Sequence, residues 1–335
     1  MKNPVTRLKA ILGELLHNGR LTAENTAALR VQLARFEAQL EARLDARLAS
    51  SVAKIDSEIA RLRLDMTNVV HAFAAKPWPD LFDPFATDEI ARRICRLGRM
   101  LTPATVEGHR KIRVGHQFDG GYVMIDDWQG IRGAISIGIG DNDAWDLDMR
   151  ARGIPVAQFD HTIAAPPTAA PGMAWHGVGI GPDDAGNFRT LNSIVRLAEF
   201  PTEGDLILKL DAEAAEWEAL LSEQAAPLER FRQMVIEFHW FDRIADDAWF
   251  ATARQTIERI TRSHAPVHVH ANNGAGMMLL GGVSFPRVLE VTFVRNGHYT
   301  LKPGDELFPT ALDAPCHPGR PDHFLGTFRF PVRQA

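Results

Sequence analysis

Only two cysteines occur in the 335 residues, Cys95 and Cys316, far apart and in no metal-type spacing. A disulfide framework is excluded, and free thiols in a reducing compartment are expected. No apolar run is long enough to span a bilayer. The residues after Met1 show neither the apolar run nor the cleavage-like end of a signal peptide. Positive charge is not in excess: 37 Lys and Arg stand against 42 Asp and Glu, a net charge of −5. That removes any general attraction to nucleic acid or anionic lipid. A cytoplasmic protein is the simplest expectation. What remains, 45% apolar and 24% charged, is ordinary globular composition with ample material for a core.

The first 75 residues lack helix breakers, with one proline (Pro4) and two glycines (Gly13 and Gly19). Apolar residues recur at spacings of three and four from Leu29 through Phe36, Leu40, Leu44, Leu48, Val52, Ile55 and Ile59 to Phe73. That is one stripe on a helix of roughly 50 residues. A solitary helix cannot bury such a stripe, so self-association through residues 29–73 as a coiled coil is expected. The alternative is a helix lying along its own domain. The run of fours from Phe36 to Val52 breaks the strict heptad and unwinds a supercoil locally. Charge in residues 1–75 is slightly basic, 11 against 8, but interleaved, which fits a solvated face better than a membrane surface. Pro77, Pro79 and Pro84 end the helix. The domain reading is 1–75 oligomerisation segment, 76–110 linker and helical lead-in, 111–335 catalytic domain.

Further on, the pattern alternates. Strands are predicted at 134–138, 155–159, 174–178, 205–210, 233–239, 266–270 and 288–294. Helices are predicted at 88–100, 143–152, 188–198, 214–222 and 247–263. Alternation of this kind predicts an α/β fold with a doubly wound, mostly parallel sheet. Residues 324–330 are read as a partner of 288–294 at an antiparallel edge.

Ligands of such sheets bind beyond the carboxyl ends of the strands. Those ends carry Gly138 and Gly140, then Asp160, then Asp211 and Glu213, then Glu237 and His239, then His268, His270, Asn272 and Asn273. A Gly-x-Gly turn with an acid about 20 residues on is how nucleotide-handling units are written. A dinucleotide site wants a third small residue three positions after Gly140, and Asp143 stands there. Acids at 141 and 143 repel a diphosphate and suit a cation. An NAD(P) enzyme is therefore disfavoured.

The blocks Ser136-Ile137-Gly138-Ile139-Gly140-Asp141 and Phe159-Asp160 join Lys209-Leu210-Asp211-Ala212-Glu213-Ala214-Ala215-Glu216. With Asp119-Gly120-Gly121-Tyr122 and the strand from Leu289 to Val294, they resemble the FkbM-type S-adenosylmethionine-dependent methyltransferases. The resemblance covers about residues 110–300. Lys209, Asp211, Glu213 and Glu216 match its second block, while Ala214 replaces a usual glycine. It implies a Rossmann-like class I methyltransferase fold with a seven-stranded sheet and S-adenosylmethionine as cofactor. It also implies O-methylation of a hydroxyl on a small molecule, sugar or glycan.

Roles follow from that resemblance. Gly138, Gly140 and Asp143 lie under the donor, Asp160 takes its ribose hydroxyls, and Asp119, Gly120, Gly121 and Tyr122 close over its methionine end. Asp211, which also faces the donor, joins Glu237 and His239 as a candidate base. The pairs Glu237/His239 and His268/His270 each face one side of their strand. Imidazoles that orient loops are favoured over a divalent-metal site, so no metal ligand is assigned. Asn272 and Asn273 fit either a turn or a sugar contact. A rival of another class is a non-catalytic scaffold with an inactive domain, for which Ala214 is the only support.

Overall fold

The computed structural model describes residues 13–14, 23–74, 87–222 and 228–332. The proline-rich break at 77–84 lies outside these described residues. The chain divides into two compact units, Met1–Arg63 and Leu64–Ala335. Helix α1, Ala23–Ala74, lies mostly in the first unit, and its residues from Leu64 on belong to the second. Its length follows from the good helix formers and the absence of glycine and proline within it. Phe36, Leu40, Leu44, Leu48, Val52, Ile55 and Ile59 are all exposed.

In the second unit, a sheet of seven strands holds the centre. Its strands are β1 (Ile131–Ile137), β2 (Val156–Phe159), β3 (Met173–His176), β4 (Asp205–Leu210), β5 (Phe231–Phe238), β6 (His264–Ala271) and β7 (Leu289–Arg295). In space the order is β6-β7-β5-β4-β1-β2-β3. Every pairing is parallel except those of β7, which runs antiparallel to both β5 and β6. The fold is Rossmann-like α/β, as the alternation predicts. One placement differs: the 289–295 strand is internal, and residues 324–330 form no strand beside it. Phe328 and Phe330 reach the core as single anchors instead.

The pleat divides each strand between two faces. Leu206, Leu208 and Leu210 of β4 join Met234, Ile236 and Phe238 of β5 in the larger core cluster. Helices α2 (Asp88–Met100) and α6 (Asp247–Ser263) pack there through Ile90, Ile94 and Leu97, and through Ala253, Ile257 and Ile260. Thr87 caps α2 by accepting from Ile90 N at 3.2 Å, and Asp246 caps α6 through Ala248 and Trp249. The segment placed in the lead-in by sequence is thus part of the core. On the opposite face, Ile207 and Val235 pack with Tyr122, Trp145 and Met149. Odd-numbered positions of β4 and β5 point this second way. Lys209, Asp211, Glu237 and His239 are therefore delivered to one rim. Helices α3 (Ala144–Ala151), α4 (Leu191–Leu197) and α5 (Glu216–Leu221) complete the layers.

Candidate active site

The chain winds outward from β1 to β2 and β3, then crosses back to β4 on the other side of β1. The crevice of such a sheet lies at that switch, beyond the ends of β1 and β4. A cavity of about 320 Å³ opens there. Its walls are the 138–142 turn, Asp160 to Thr162, Lys209, the 211–213 turn, and Asp119, Gly120 and Tyr122. The last three belong to the hairpin of Lys111–Gly115 and Gly121–Ile125.

Backbone contact fixes this crevice. Gly138 has φ +79°, and a Cβ added there would lie 1.6 Å from the carbonyl oxygen of Asp211. Two turns from neighbouring strands thus touch where only a hydrogen fits. A Cβ on Gly140 (φ +56°) would meet nothing within 4 Å, so that turn faces open cavity. Asp160 holds the turn: its Oδ2 accepts from Ile139 N at 2.8 Å and Gly140 N at 2.9 Å. Its Oδ1 accepts from Thr162 N and Oγ1. Burial works against the Asp160 charge, but these donors outweigh it and hold the carboxyl below its ordinary range. Lys209 Nζ donates to the Gly138 carbonyl and lies 6.0 Å from the Tyr122 ring centre.

A second, more open cavity of about 550 Å³ shares Asp119, Asp211 and Glu213 with the first. It extends past Glu237, His239, Trp240, Asn272, Arg287 and His317. At the junction, Glu216 Oε1 takes both the backbone N–H and Nδ1 of His239, at 2.8 and 3.1 Å. Its other oxygen, Oε2, is buried without a partner. A carboxylate on Nδ1 fixes the tautomer and leaves Nε2 facing the cavity. Nε2 lies 3.9 Å from Asp211 Oδ1, 3.8 Å from Glu237 Oε1 and 3.7 Å from Glu213 Oε2. Burial pushes the Asp211 carboxyl up to about 6, against the pull of Lys209 and His239. Burial, reinforced by Asp211 and Glu290, pushes Glu237 well above the ordinary range. Burial disfavours the His239 imidazolium, yet Glu216, Asp211 and Glu213 outweigh it and raise its pKa.

Of the residues singled out by sequence, Asp119, Gly120, Tyr122, Gly138, Gly140, Asp160 and Asp211 meet around the first cavity. Glu237 and His239 line the second. Gly121 and Asp143 line neither. A Cβ on Gly121 would strike the His116 carbonyl at 1.8 Å, so its smallness serves the hairpin. Asp143 turns toward residue 168, where it accepts from Thr168 N at 2.8 Å and Thr168 Oγ1 at 3.2 Å. Its placement under a donor is therefore corrected: it pins a loop.

The histidines of β6 are also committed elsewhere. His268 Nε2 meets Asp313 at 2.8 Å, and His270 bridges Glu290 at 2.9 Å and Asp322 at 3.0 Å. Asn273 holds the carbonyls of His317, Arg320 and Pro321. These bonds clamp the segment after residue 305 onto the sheet. No family model matches this chain, and no curated protein matches it.

Sequence reading gave no role to His161 and Phe188, whose rings lie 4.7 Å apart in the cavity wall, or to Asn142, whose amide donates to the Asp119 carbonyl at 2.8 Å. Glu216 matched a motif but was given no role, because only the fold brings it under His239. Glu213 and Ala214 take φ +49° and +82°. A glycine at 214 would relieve a conformation that costs other residues roughly 1–2 kcal/mol.

Proposed function

We propose that this chain is an S-adenosylmethionine-dependent O-methyltransferase of the FkbM type, acting on a hydroxyl of a sugar or glycan. One observation carries the reading: the switch-point cavity is walled by a glycine turn and by carboxylates, with Lys209 as its only Lys or Arg among the described residues. Lys209 is itself tied to the Gly138 carbonyl. A pyrophosphate finds no free cation there, whereas a sulfonium with an amino group finds anions. The size suits one small ligand. The reversed β7 between β5 and β6 also departs from the dinucleotide strand order.

In this reading the donor lies across Gly138 and Gly140, with its methyl directed to the junction of the two cavities. Asp160 reaches the ribose only by sharing oxygens that already hold the turn. The acceptor occupies the second cavity, where Trp240, 39% exposed, offers an aromatic face and Asn272 an amide. The chain aligns the hydroxyl with the sulfonium carbon, and Asp211, Glu237 or His239 takes its proton. Alignment can supply several kcal/mol of the barrier.

Calorimetric titration with S-adenosylhomocysteine, with NAD as control, tests this. Micromolar binding of the first and none of the second is expected. A folded protein that binds neither removes the methyltransferase reading in favour of a scaffold.

The exposed stripe on α1 supports self-association as a coiled coil. In the full chain, Leu44→Asp with Leu48→Asp is expected to reduce the mass in solution to that of one protomer. An unchanged mass by sedimentation equilibrium, or a monomeric wild type, refutes the pairing.

A further inference from the structure

Two pairs of polar strand-end residues have the spacing for a shared cation, and the structure treats them differently. His270 spends both ring nitrogens on Glu290 and Asp322, and His268 spends Nε2 on Asp313 while its Nδ1 is buried away from the second cavity. Glu237 and His239 open into the second cavity beside Asp211. We propose that Asp211, Glu237 and His239 form a binding site for a divalent transition-metal cation at the junction of the two cavities.

Distance is the first argument. One ligand atom from each residue falls within 4.8 Å of the other two. His239 Nε2 stands 3.9 and 3.8 Å from the two carboxylates. Those gaps are too long for hydrogen bonds. Atoms bound to one ion at about 2.1 Å lie roughly 3.0 Å apart when adjacent and 4.2 Å when opposed. The two gaps at Nε2 fall within that span, nearer its upper limit, so a small inward shift of the carboxylates brings the three groups onto one ion.

The second argument is independent of the acidic cluster. His239 is only 6% exposed and lines the second cavity, yet among the described residues its Nε2 makes no hydrogen bond. Its Nδ1 is fixed by Glu216, whose side chain is fully buried. A buried imidazole with a carboxylate behind it and a bare nitrogen in front is how metal-binding histidines are oriented. Glu237 is steadied likewise: Asn272 Nδ2 donates to its Oε1 at 2.9 Å. Among the described residues no donor reaches its other oxygen.

The parallel register of β4 and β5, with Leu210 opposite Ile236, sets Asp211 beside Glu237 before any ligand arrives. Nearby fixed cations are engaged: Lys209 with the Gly138 carbonyl, and Arg287 with Asp242 at 3.3 Å. One imidazole nitrogen and two carboxylate oxygens favour Mn²⁺, Fe²⁺ or Zn²⁺ over Ca²⁺. Glu213, 3.7 Å from Nε2 with its side chain 87% exposed, is a ready fourth ligand. The remaining positions face the second cavity, open to water or to a hydroxyl pair of an acceptor.

The site goes beyond the donor reading and is tested without any donor. The full chain, stripped with a chelator, is titrated with Mn²⁺ while free Mn²⁺ is followed by electron paramagnetic resonance. One saturable Mn²⁺ per chain is expected, displaced by Zn²⁺. Asp211→Asn with Glu237→Gln should lower the affinity at least 100-fold. Glu216→Gln, which touches no ion, should lower it about 10- to 100-fold through His239. Circular dichroism confirms that each variant is folded; should the double variant not fold, Asp211→Asn alone carries the test. No saturable binding at millimolar Mn²⁺, or equal affinity in the variants, overturns the site. Neither result bears on the S-adenosylhomocysteine titration, so the two readings fail separately.

Discussion

Replacing Gly138 by alanine is expected to abolish S-adenosylhomocysteine binding and to lower the unfolding midpoint steeply. Two effects add. The left-handed φ of +79° disfavours any Cβ, at roughly 1–2 kcal/mol. The methyl would also fall 1.6 Å from the Asp211 carbonyl oxygen, so one of two backbone turns must move. Neither is free to do so. Asp211 N is bonded to Ile137 O at 3.0 Å, Gly138 N to Phe159 O at 3.0 Å, and the Gly138 carbonyl to Lys209. Relief therefore opens the β1–β4 crevice, and the expected loss is about 3–5 kcal/mol, the upper range for single substitutions. Gly140→Ala is the control: it has the same sign of φ but open space, so it should lose stability only modestly while still disturbing the ligand. Denaturant unfolding and calorimetry of both variants decide the matter. Equal midpoints for Gly138→Ala and wild type would show that the crevice is not held as described.

His270→Leu is expected to destabilise the protein by about 3–5 kcal/mol, because it removes the imidazole that pairs with two buried carboxylates, Glu290 and Asp322. The pH dependence has a definite sign. Burial disfavours the His270 imidazolium, but Glu290, Asp322 and Cys316 outweigh it and raise its pKa well above the ordinary value. Asp313, held low beside His268 and His270 against its burial, adds to the negative field. The folded protein thus keeps a proton that the unfolded chain releases. The resulting stabilisation is fully present below about pH 6.5 and is lost as pH rises through the elevated value. The gap between wild type and His270→Leu should narrow on the alkaline side. A gap that widens there, or a variant as stable as wild type, contradicts the assignment. Limited proteolysis should cut the variant first between residues 306 and 330.

Local signals carried the fold. Strand β4 and helix α6 occupy the predicted 205–210 and 247–263, because an apolar run broken only by Lys209 and a capped, amphipathic 17-residue helix are written within their own residues. The rank of β7 in the sheet is not local, so it was assigned to an edge when it lies between β5 and β6. The site divides the same way. Gly138, Gly140, Asp160 and Asp211 follow from strand ends and turn chemistry. Asp143 was misplaced because its partner, Thr168, is 25 residues away with no periodic signal to announce it. His268 and His270 were ambiguous for the same reason, since Asp313 and Asp322 stand 45 and 52 residues on. The coiled coil rests on the stripe alone, whose members from Phe36 to Ile59 the structure leaves exposed.

The clamp on residues 306–330 also has a meaning in time. A ribosome adds roughly 5–20 residues per second, and folding proceeds from the amino end as chain emerges. The residues that grip this segment, among them Thr102, Lys111, His268, His270, Asn273 and Glu290, are made before it. The seven-stranded sheet can be complete while the wall bearing Cys316, His317 and Pro318 is still inside the exit tunnel. During that interval the first cavity has its walls but the second lacks one side. The nascent protein thus completes one cavity before the other.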